Sequence, residues 1–429
     1  MSPVPTGKRT QCEAGDPAVQ PGEIAGTASL ASSRSLALAG FIGTAIAFGP
    51  ARMGFGLFLP TISEEFALSA SAAGVIASCG FAAFLAALLL AAWTDIRIGP
   101  RFAVMVGTLL ATTGFTMVAT ANHVGMLAAG VALAGSSAGF CWTPFNDAAK
   151  RVVPGGSRPE ALSVVATGTT LGVAATGALA LAVSFGLLDW RTAWILFAGT
   201  GLLAALAAKI GMPRGLSHQS RLPGLRAIFW RSANCPLFAS AFLFGVANAA
   251  YISFAADSVV RSGGLTGLPD DAAAAVIFIS YGGFGTIGIA TGRLEARLGT
   301  GWLLAGLFSA FAVSLVLLAI APGTWPGVVL SAGLHGAGVM VISGLLSFWS
   351  LRLFPRYGSL GFSAALVLMA SGSVLGAALA GSLIDQIGMK ATFLVLASPL
   401  ILAALATAMI ASLRSSKEAG NADTHGPPV

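Results

Sequence analysis

A single arginine stands inside an otherwise apolar stretch. Arg52 lies about sixteen residues into a hydrophobic segment that begins near Ser35, directly after a Gly49-Pro50 pair able to kink a helix. Along a helix that is roughly 24 Å, past the middle of a hydrocarbon core about 30 Å thick. A charge at that depth is costly. A guanidinium has five fixed donors and suits a carboxylate or similar oxyanion held by two parallel bonds. The competing readings are a salt bridge within the protein and snorkelling toward the outer surface.

Few other residues could share that chemistry. Asp257 sits near the end of the seventh apolar segment and is the broad counterpart of Arg52 in the second half of the chain. The two could close an outer gate, or Asp257 could be merely interfacial. Tyr251 and Asn248, earlier on the same segment, add a hydroxyl and an amide. Trp142 and Asn146, near the end of the fourth segment, offer an aromatic face and an amide to a cavity, while Asp147 has Lys150 and Arg151 within one turn as local partners. His335, ten residues into the tenth segment, titrates near physiological pH when unperturbed. It is either a proton-coupling residue or a neutral, hydrogen-bonded core histidine.

Familiar catalytic chemistry finds no support. Cys12, Cys79, Cys141 and Cys235 are scattered without paired spacing, and His123, His218, His335 and His425 are equally isolated, so no disulfide framework, metal site or cofactor is expected. No P-loop, G-x-S-x-G or H-E-x-x-H string occurs. The net charge of +7 does not indicate nucleic acid, because the basic residues punctuate apolar segments instead of gathering on a soluble face.

These residues must be positioned by helices in lipid. Of 429 residues 56% are hydrophobic and 9% charged, with a mean hydropathy of +0.85, whereas soluble domains carry about 25% charged residues. Twelve spans of roughly 20 residues need about 240 apolar positions, which this composition supplies. The apolar runs predict spans over 35–60, 69–93, 102–120, 125–146, 161–186, 191–212, 237–260, 272–294, 302–321, 325–350, 360–384 and 390–413. The chain therefore reads as an all-α membrane protein. A disordered cytoplasmic tail covers 1–34, six-helix bundles cover 35–212 and 237–413, a basic cytoplasmic linker covers 213–236, and a second tail covers 414–429. With the N-terminus inside, nineteen Lys and Arg fall on the cytoplasmic side and only Arg191, Arg261 and Lys390 outside, Arg52 being within the first span. That ratio sets both termini in the cytoplasm. Trp93, Trp190, Trp302, Trp325 and Trp349 stand near span ends, where indole rings prefer the interface. The linker carries Arg214, Arg221, Arg226 and Arg231 and no acid, so it is expected to lie against anionic headgroups.

The two halves repeat. Asp95-Ile96-Arg97-Ile98-Gly99 after the second span matches Glu295-Ala296-Arg297-Leu298-Gly299 after the eighth at an offset of 200. Arg151-Val152-Val153-Pro154 matches Arg352-Leu353-Phe354-Pro355 at 201. Gly168, Gly172 and Gly177 share their spacing with Gly372, Gly376 and Gly381 at 204. Trp190-Arg191 faces Met389-Lys390 at 199. Small residues at such spacings let helices approach in lipid, and an acid with an arginine at a short turn can bridge helix ends that separate and rejoin.

Six helices, a basic linker and six more, with a loop motif after the second helix and a weaker copy after the eighth, resemble the major facilitator superfamily over about 35–413. The family's loop motif reads roughly Gly-x-x-x-Asp-Arg-x-Gly-Arg-Arg. Here it is Ala91, Asp95, Arg97, Gly99 and Arg101, with Ala in place of the leading Gly and one extra residue before Gly99; Glu295 and Arg297 form the copy. Arg191 after Trp190 matches another common pattern of the family. The resemblance implies two pseudo-symmetric bundles rocking around a central cavity, in a monomer of a bacterial inner membrane that is not an enzyme. It also implies a secondary active transporter working by alternating access, here expected to move a small organic anion with proton coupling. The fifth helix lacks the Gly-Pro pair of the family's drug/proton antiporters, which favours uptake over proton-driven efflux of a drug-like compound or metabolite. A sensor or enzyme that does not transport is the remote alternative.

Overall fold

The computed structural model describes residues 21–154, 156–214, 234–354 and 358–424, and among them every regular element is helical. Eleven stretches are long and apolar enough to cross a membrane. One of them, Ala272–Ile320, holds 49 residues, roughly 73 Å if helical throughout and more than twice a bilayer core. It turns at Gly299, whose φ of 73° and ψ of 160° break the helix. Twelve crossings result.

The first crossing is built from Pro21–Phe48 and Pro50–Leu57, broken at the anticipated Gly49-Pro50 pair, and is followed by the short helix Leu59–Phe66. The second to sixth are Ala70–Arg97, Pro100–Ala119, Val124–Val152, Arg158–Ser184 and Trp190–Gly211. The seventh is Cys235–Arg261. The eighth runs through Ala272–Gly285, a 3-10 turn at Thr286–Ala290 and on to 298, and the ninth covers 300–320. Trp325–Leu353, Gly358–Ile387 and Met389–Thr424 complete the set. Polar side chains fix several starts: Ser69, Asp189 and Thr324 each accept a backbone N–H from the first turn that follows. The first helix begins at Pro21 and the last ends at Thr424, so helical backbone extends into both expected tails. Residues 1–20, 425–429 and 215–233 of the linker lie outside the described residues.

Packing repeats as the sequence does. Within the first bundle the second and third crossings pack on the fourth, the first on the fifth and the third on the sixth; in the other, the eighth and ninth pack on the tenth, the seventh on the eleventh and the ninth on the twelfth. Gly99 has φ 110° and ψ 164°, close to Gly299 at the matching position. An L side chain rarely adopts such a φ, so the repeated glycine serves the same turn in both halves.

The bundles meet along three pairs: second with eleventh, fifth with eighth, and first with seventh. Named contacts cluster toward the end opposite the linker, called here the far end. A Cβ on Gly56 would lie 1.8 Å from the Ile252 carbonyl oxygen, so the first and seventh crossings touch backbone to backbone. Ser78 Oγ donates to the Val374 carbonyl at 2.8 Å. The fourth and tenth crossings pack chiefly within their own bundles.

Candidate functional site

Arg52 lies one half-turn beyond the Gly49-Pro50 break. Its guanidinium carbon is 4.7 Å from the Phe84 ring centroid, 5.6 Å from Phe81 and 5.9 Å from Phe48. Among the described residues no carboxylate pairs with it. Each aromatic face returns about 0.5–2 kcal/mol to a cation, which offsets part of a desolvation cost of several kcal/mol and leaves the N–H donors without acceptors. The side chain lines a cavity of about 30 Å³ with Phe55, Ala77 and Gly135 of its own bundle and Ile252 and Ser253 of the other. That volume holds a water or two. Phe48 also meets Trp142 edge-on, with centroids 5.6 Å apart, and Trp142 Nε1 is buried without a partner. Two donor groups that meet no acceptor among the described residues, one of them charged, thus flank a single phenylalanine.

A second polar cluster fills the other bundle. His335 is fully buried and stacks on Tyr251 with ring centroids 3.8 Å apart. Ser314 Oγ donates to the Phe311 carbonyl at 2.8 Å, so it accepts from His335 Nδ1–H at 2.8 Å. Counting hydrogens continues the chain. Ser331 Oγ donates to the Ser314 carbonyl at 2.7 Å and accepts from the Tyr251 hydroxyl at 3.1 Å. This assignment leaves His335 Nε2 a bare lone pair, buried and unpartnered. The Tyr281 hydroxyl donates to Asn248 Oδ1 at 3.3 Å and lies within electrostatic reach of Arg52. Arg52 and Trp142 are thereby brought together, Asn248, Tyr251 and His335 form a separate group, and Tyr281 stands between them.

Arg52 and Asp257 are not brought together. Arg261 Nε donates to both Asp257 oxygens at 2.8 Å. The cause is spacing: Arg261 is four residues on, on the same helix face, whereas Arg52 faces Ile252 and Ser253, about one turn short of Asp257. Asp147 binds Lys150 at 3.1 Å, and Asn146 Nδ2 donates to the Trp142 carbonyl of its own helix at 2.9 Å. In the loop motifs, Glu295 holds Arg352 through both guanidinium nitrogens and accepts from Thr300 Oγ1 at 2.9 Å. Two of the repeated motifs therefore lock onto each other. The Asp95 side chain lies outside the described residues. Arg97 sits over Trp93, Arg297 is exposed, and Arg101 lies beside Lys209 and Arg214 at the linker end.

Sequence reasoning singled out Trp190 and Arg191 at the far end but not the acidic residues Glu65, Asp271 and Asp385. Asp385 of the eleventh crossing accepts the backbone N–H of Ala70 at 3.1 Å and of Ser71 at 2.8 Å, so one bundle caps a helix of the other. Glu65 accepts from Trp190 Nε1 at 2.9 Å and from Arg191, which also donates to the Ala119 carbonyl at 2.8 Å. Asp271 is held above the usual aspartate range by burial and by the nearby Glu64 and Asp270 carboxylates. Phe81, Phe84 and Tyr281 carried no sequence signal that set them apart from other aromatic residues.

Comparison with known proteins agrees with this architecture. The sequence model described as Major Facilitator Superfamily matches residues 37–343. A Pseudomonas aeruginosa protein named transcription regulatory protein OpdE is 26% identical over 313 residues, covering 71% of this chain and 75% of that one. Among solved structures, a mutant form of the nucleoside transporter NupG superposes with a TM-score of 0.72 at 11% identity, covering 88% of this chain and 99% of that one. A bacterial homologue of the human lysosomal transporter Spinster, inward-facing and occupied, gives 0.66 at 18% identity, with coverage of 89% and 96%. At these identities the two structures speak for the fold alone.

Proposed function

The chain belongs to the major facilitator superfamily, a multi-pass membrane transporter family and not an enzyme family, and on that premise we propose that it carries a small organic anion by alternating access. The observation that supports this most is Arg52, a cation at the bundle interface with aromatic faces around it and no carboxylate partner among the described residues. Trp142 Nε1 offers a second unpartnered donor nearby. A pair of donors without acceptors is completed by a carboxylate or another oxyanion.

In this proposal both termini face the cytoplasm of a bacterial cell, a topology that the positive-inside pattern supports, and the far end is the outer one. The contacts of Gly56, Ser78 and Asp385 then close the outer side, and the 30 Å³ cavity at Arg52 enlarges to admit the solute when the bundles rock. His335 Nε2 is the proton acceptor in this proposal, with Tyr251 and Ser314 fixing its ring. The direction is uptake with protons, in a monomer; efflux is the alternative.

Flux into proteoliposomes under an imposed proton gradient tests the reading, over a panel of small carboxylates with neutral and cationic solutes as controls. Arg52→Lys is expected to weaken anion transport at least tenfold and Arg52→Gln to abolish it. Full activity of Arg52→Gln would overturn the role. Flux indifferent to pH and unchanged by His335→Asn would remove the coupling step. The name of the OpdE relative favours a second reading, a membrane sensor that binds the same anion without moving it. Binding without flux in the same vesicles separates that reading from transport.

A further inference from the structure

A second cationic site lies at the linker end, far from Arg52. It is a hollow of about 590 Å³ between the start of the third crossing and the end of the sixth, lined by Arg101, Leu206, Lys209, Ile210, Met212 and Arg214. Three of its six lining residues are cations and none is an acid. The linker that continues from Arg214 has no Asp or Glu between Pro213 and Pro236, so the linker sequence adds positive charge and no negative charge on this side.

The apolar half of the lining is as informative as the charged half. Ile210 is 73% exposed and Leu206 52%, and Leu203 continues the same outward stripe up the sixth crossing at 61%. From Leu203 to Ile210 is roughly 10 Å along the helix, within one leaflet of a core about 30 Å thick. An apolar stripe that descends through one leaflet and ends in three cations complements an amphiphile with an anionic head. A free phosphate would satisfy the cations and leave the stripe unused.

We propose that Arg101, Lys209 and Arg214 form a binding site for the phosphate-bearing headgroup of an anionic phospholipid, whose acyl chain runs along Leu203, Leu206 and Ile210. The site is independent of the transported solute. It couples the end of the sixth crossing and the start of the linker at Arg214 to the loop motif at Arg101, so bound lipid braces the first bundle where the linker leaves it.

Native mass spectrometry of the detergent-purified full chain tests this, with phosphatidylglycerol, phosphatidylcholine, inorganic phosphate and glycerol phosphate as probes. Each cation near an anionic headgroup contributes about a fivefold preference. Phosphatidylglycerol is therefore expected to bind about a hundredfold tighter than phosphatidylcholine. Lys209→Gln should lose about fivefold and Lys209→Arg should restore it, while the Arg101→Gln, Lys209→Gln, Arg214→Gln triple variant should lose the preference altogether. Unchanged melting of the single variants separates loss of binding from loss of fold. Equal binding of the two lipids, or an undiminished preference in the triple variant, would overturn the proposal. So would inorganic or glycerol phosphate binding as tightly as phosphatidylglycerol, which would make the site one for a soluble anion.

Discussion

Removing the Asp385 carboxylate should loosen the far end by a predictable amount. The side chain accepts two backbone N–H groups, from Ala70 at 3.1 Å and Ser71 at 2.8 Å, at the start of a 28-residue helix in the other bundle. Ser69 caps the same helix from within its own bundle by accepting the Ala72 N–H at 3.1 Å. The helix therefore stays capped when Asp385 is lost, and the deficit falls on the contact between bundles. Loss of an N-terminal cap costs about 1 kcal/mol, and an exposed charge at a helix N-terminus adds about 0.3–1 kcal/mol. Because Asp385 is exposed, the sum is taken at the low end, about 1–1.4 kcal/mol, or about a five- to tenfold change in the ratio of closed to open far ends. Asp385→Ala should show that shift, and Asp385→Asn, which keeps an acceptor but no charge, about a twofold to threefold one. Spin labels at Leu187→Cys and Thr266→Cys, both exposed at the far end on opposite bundles, report the distance distribution by pulsed electron resonance. An unchanged distribution in Asp385→Ala would refute the cap as an energetic contact.

Three other outcomes are expected. Gly56→Val should keep the first and seventh crossings apart, since even a Cβ there would lie 1.8 Å from the Ile252 carbonyl oxygen; the same spin labels should then report a mostly open far end, and a closed one would count against the contact. Ser314→Ala should lower the melting temperature by leaving His335 Nδ1–H without its acceptor, a cost of about 1–3 kcal/mol; an unchanged melting curve would contradict the assigned tautomer. The third concerns pH. Asp271 is raised above its ordinary value of 3.8 by burial and by Glu64 and Asp270, so its protonated form is favoured where the far end is closed. The closed population should therefore be greatest as pH falls toward 3.8 and be lost as pH climbs through the raised value of the closed state. Asp271→Asn should flatten that dependence, and a variant with the wild-type profile would exclude this carboxyl as its source.

The fold was legible because its signals are long-range averages. Spans follow from apolar length, the break at Gly49-Pro50 from proline's missing N–H, and the repeat from matching offsets that recur as matching backbone angles at Gly99 and Gly299. The site was legible only where a residue was rare. Arg52 and His335 stand out in apolar surroundings, whereas Phe81 and Phe84 are two of 26 phenylalanines and acquire meaning only from the guanidinium they face. The Asp257–Arg261 pair was present in the four-residue spacing, but Asp257 was set only between a gate with Arg52 and an interfacial position. Asp385 was beyond sequence reasoning altogether, because its partners are backbone amides 314 and 315 residues away and any helix start would look the same.

The isolation of Arg52 also has an electrical side. A binding site that holds one positive charge and no fixed counter-charge among the described residues is cationic when empty and neutral when it carries a monoanion. Moving a full charge through 100 mV is worth about 2.3 kcal/mol, so a guanidinium that senses a quarter of the field gains or loses about 0.6 kcal/mol as the bundles rock. For the anion alone, membrane voltage then acts on the empty return step and spares the loaded one, whereas a proton carried with it on His335 returns one positive charge to the loaded step. On the proposed topology, an inside-negative cell would park the vacant carrier with its charge toward the cytoplasm, in the same arrangement as the closed far end described above.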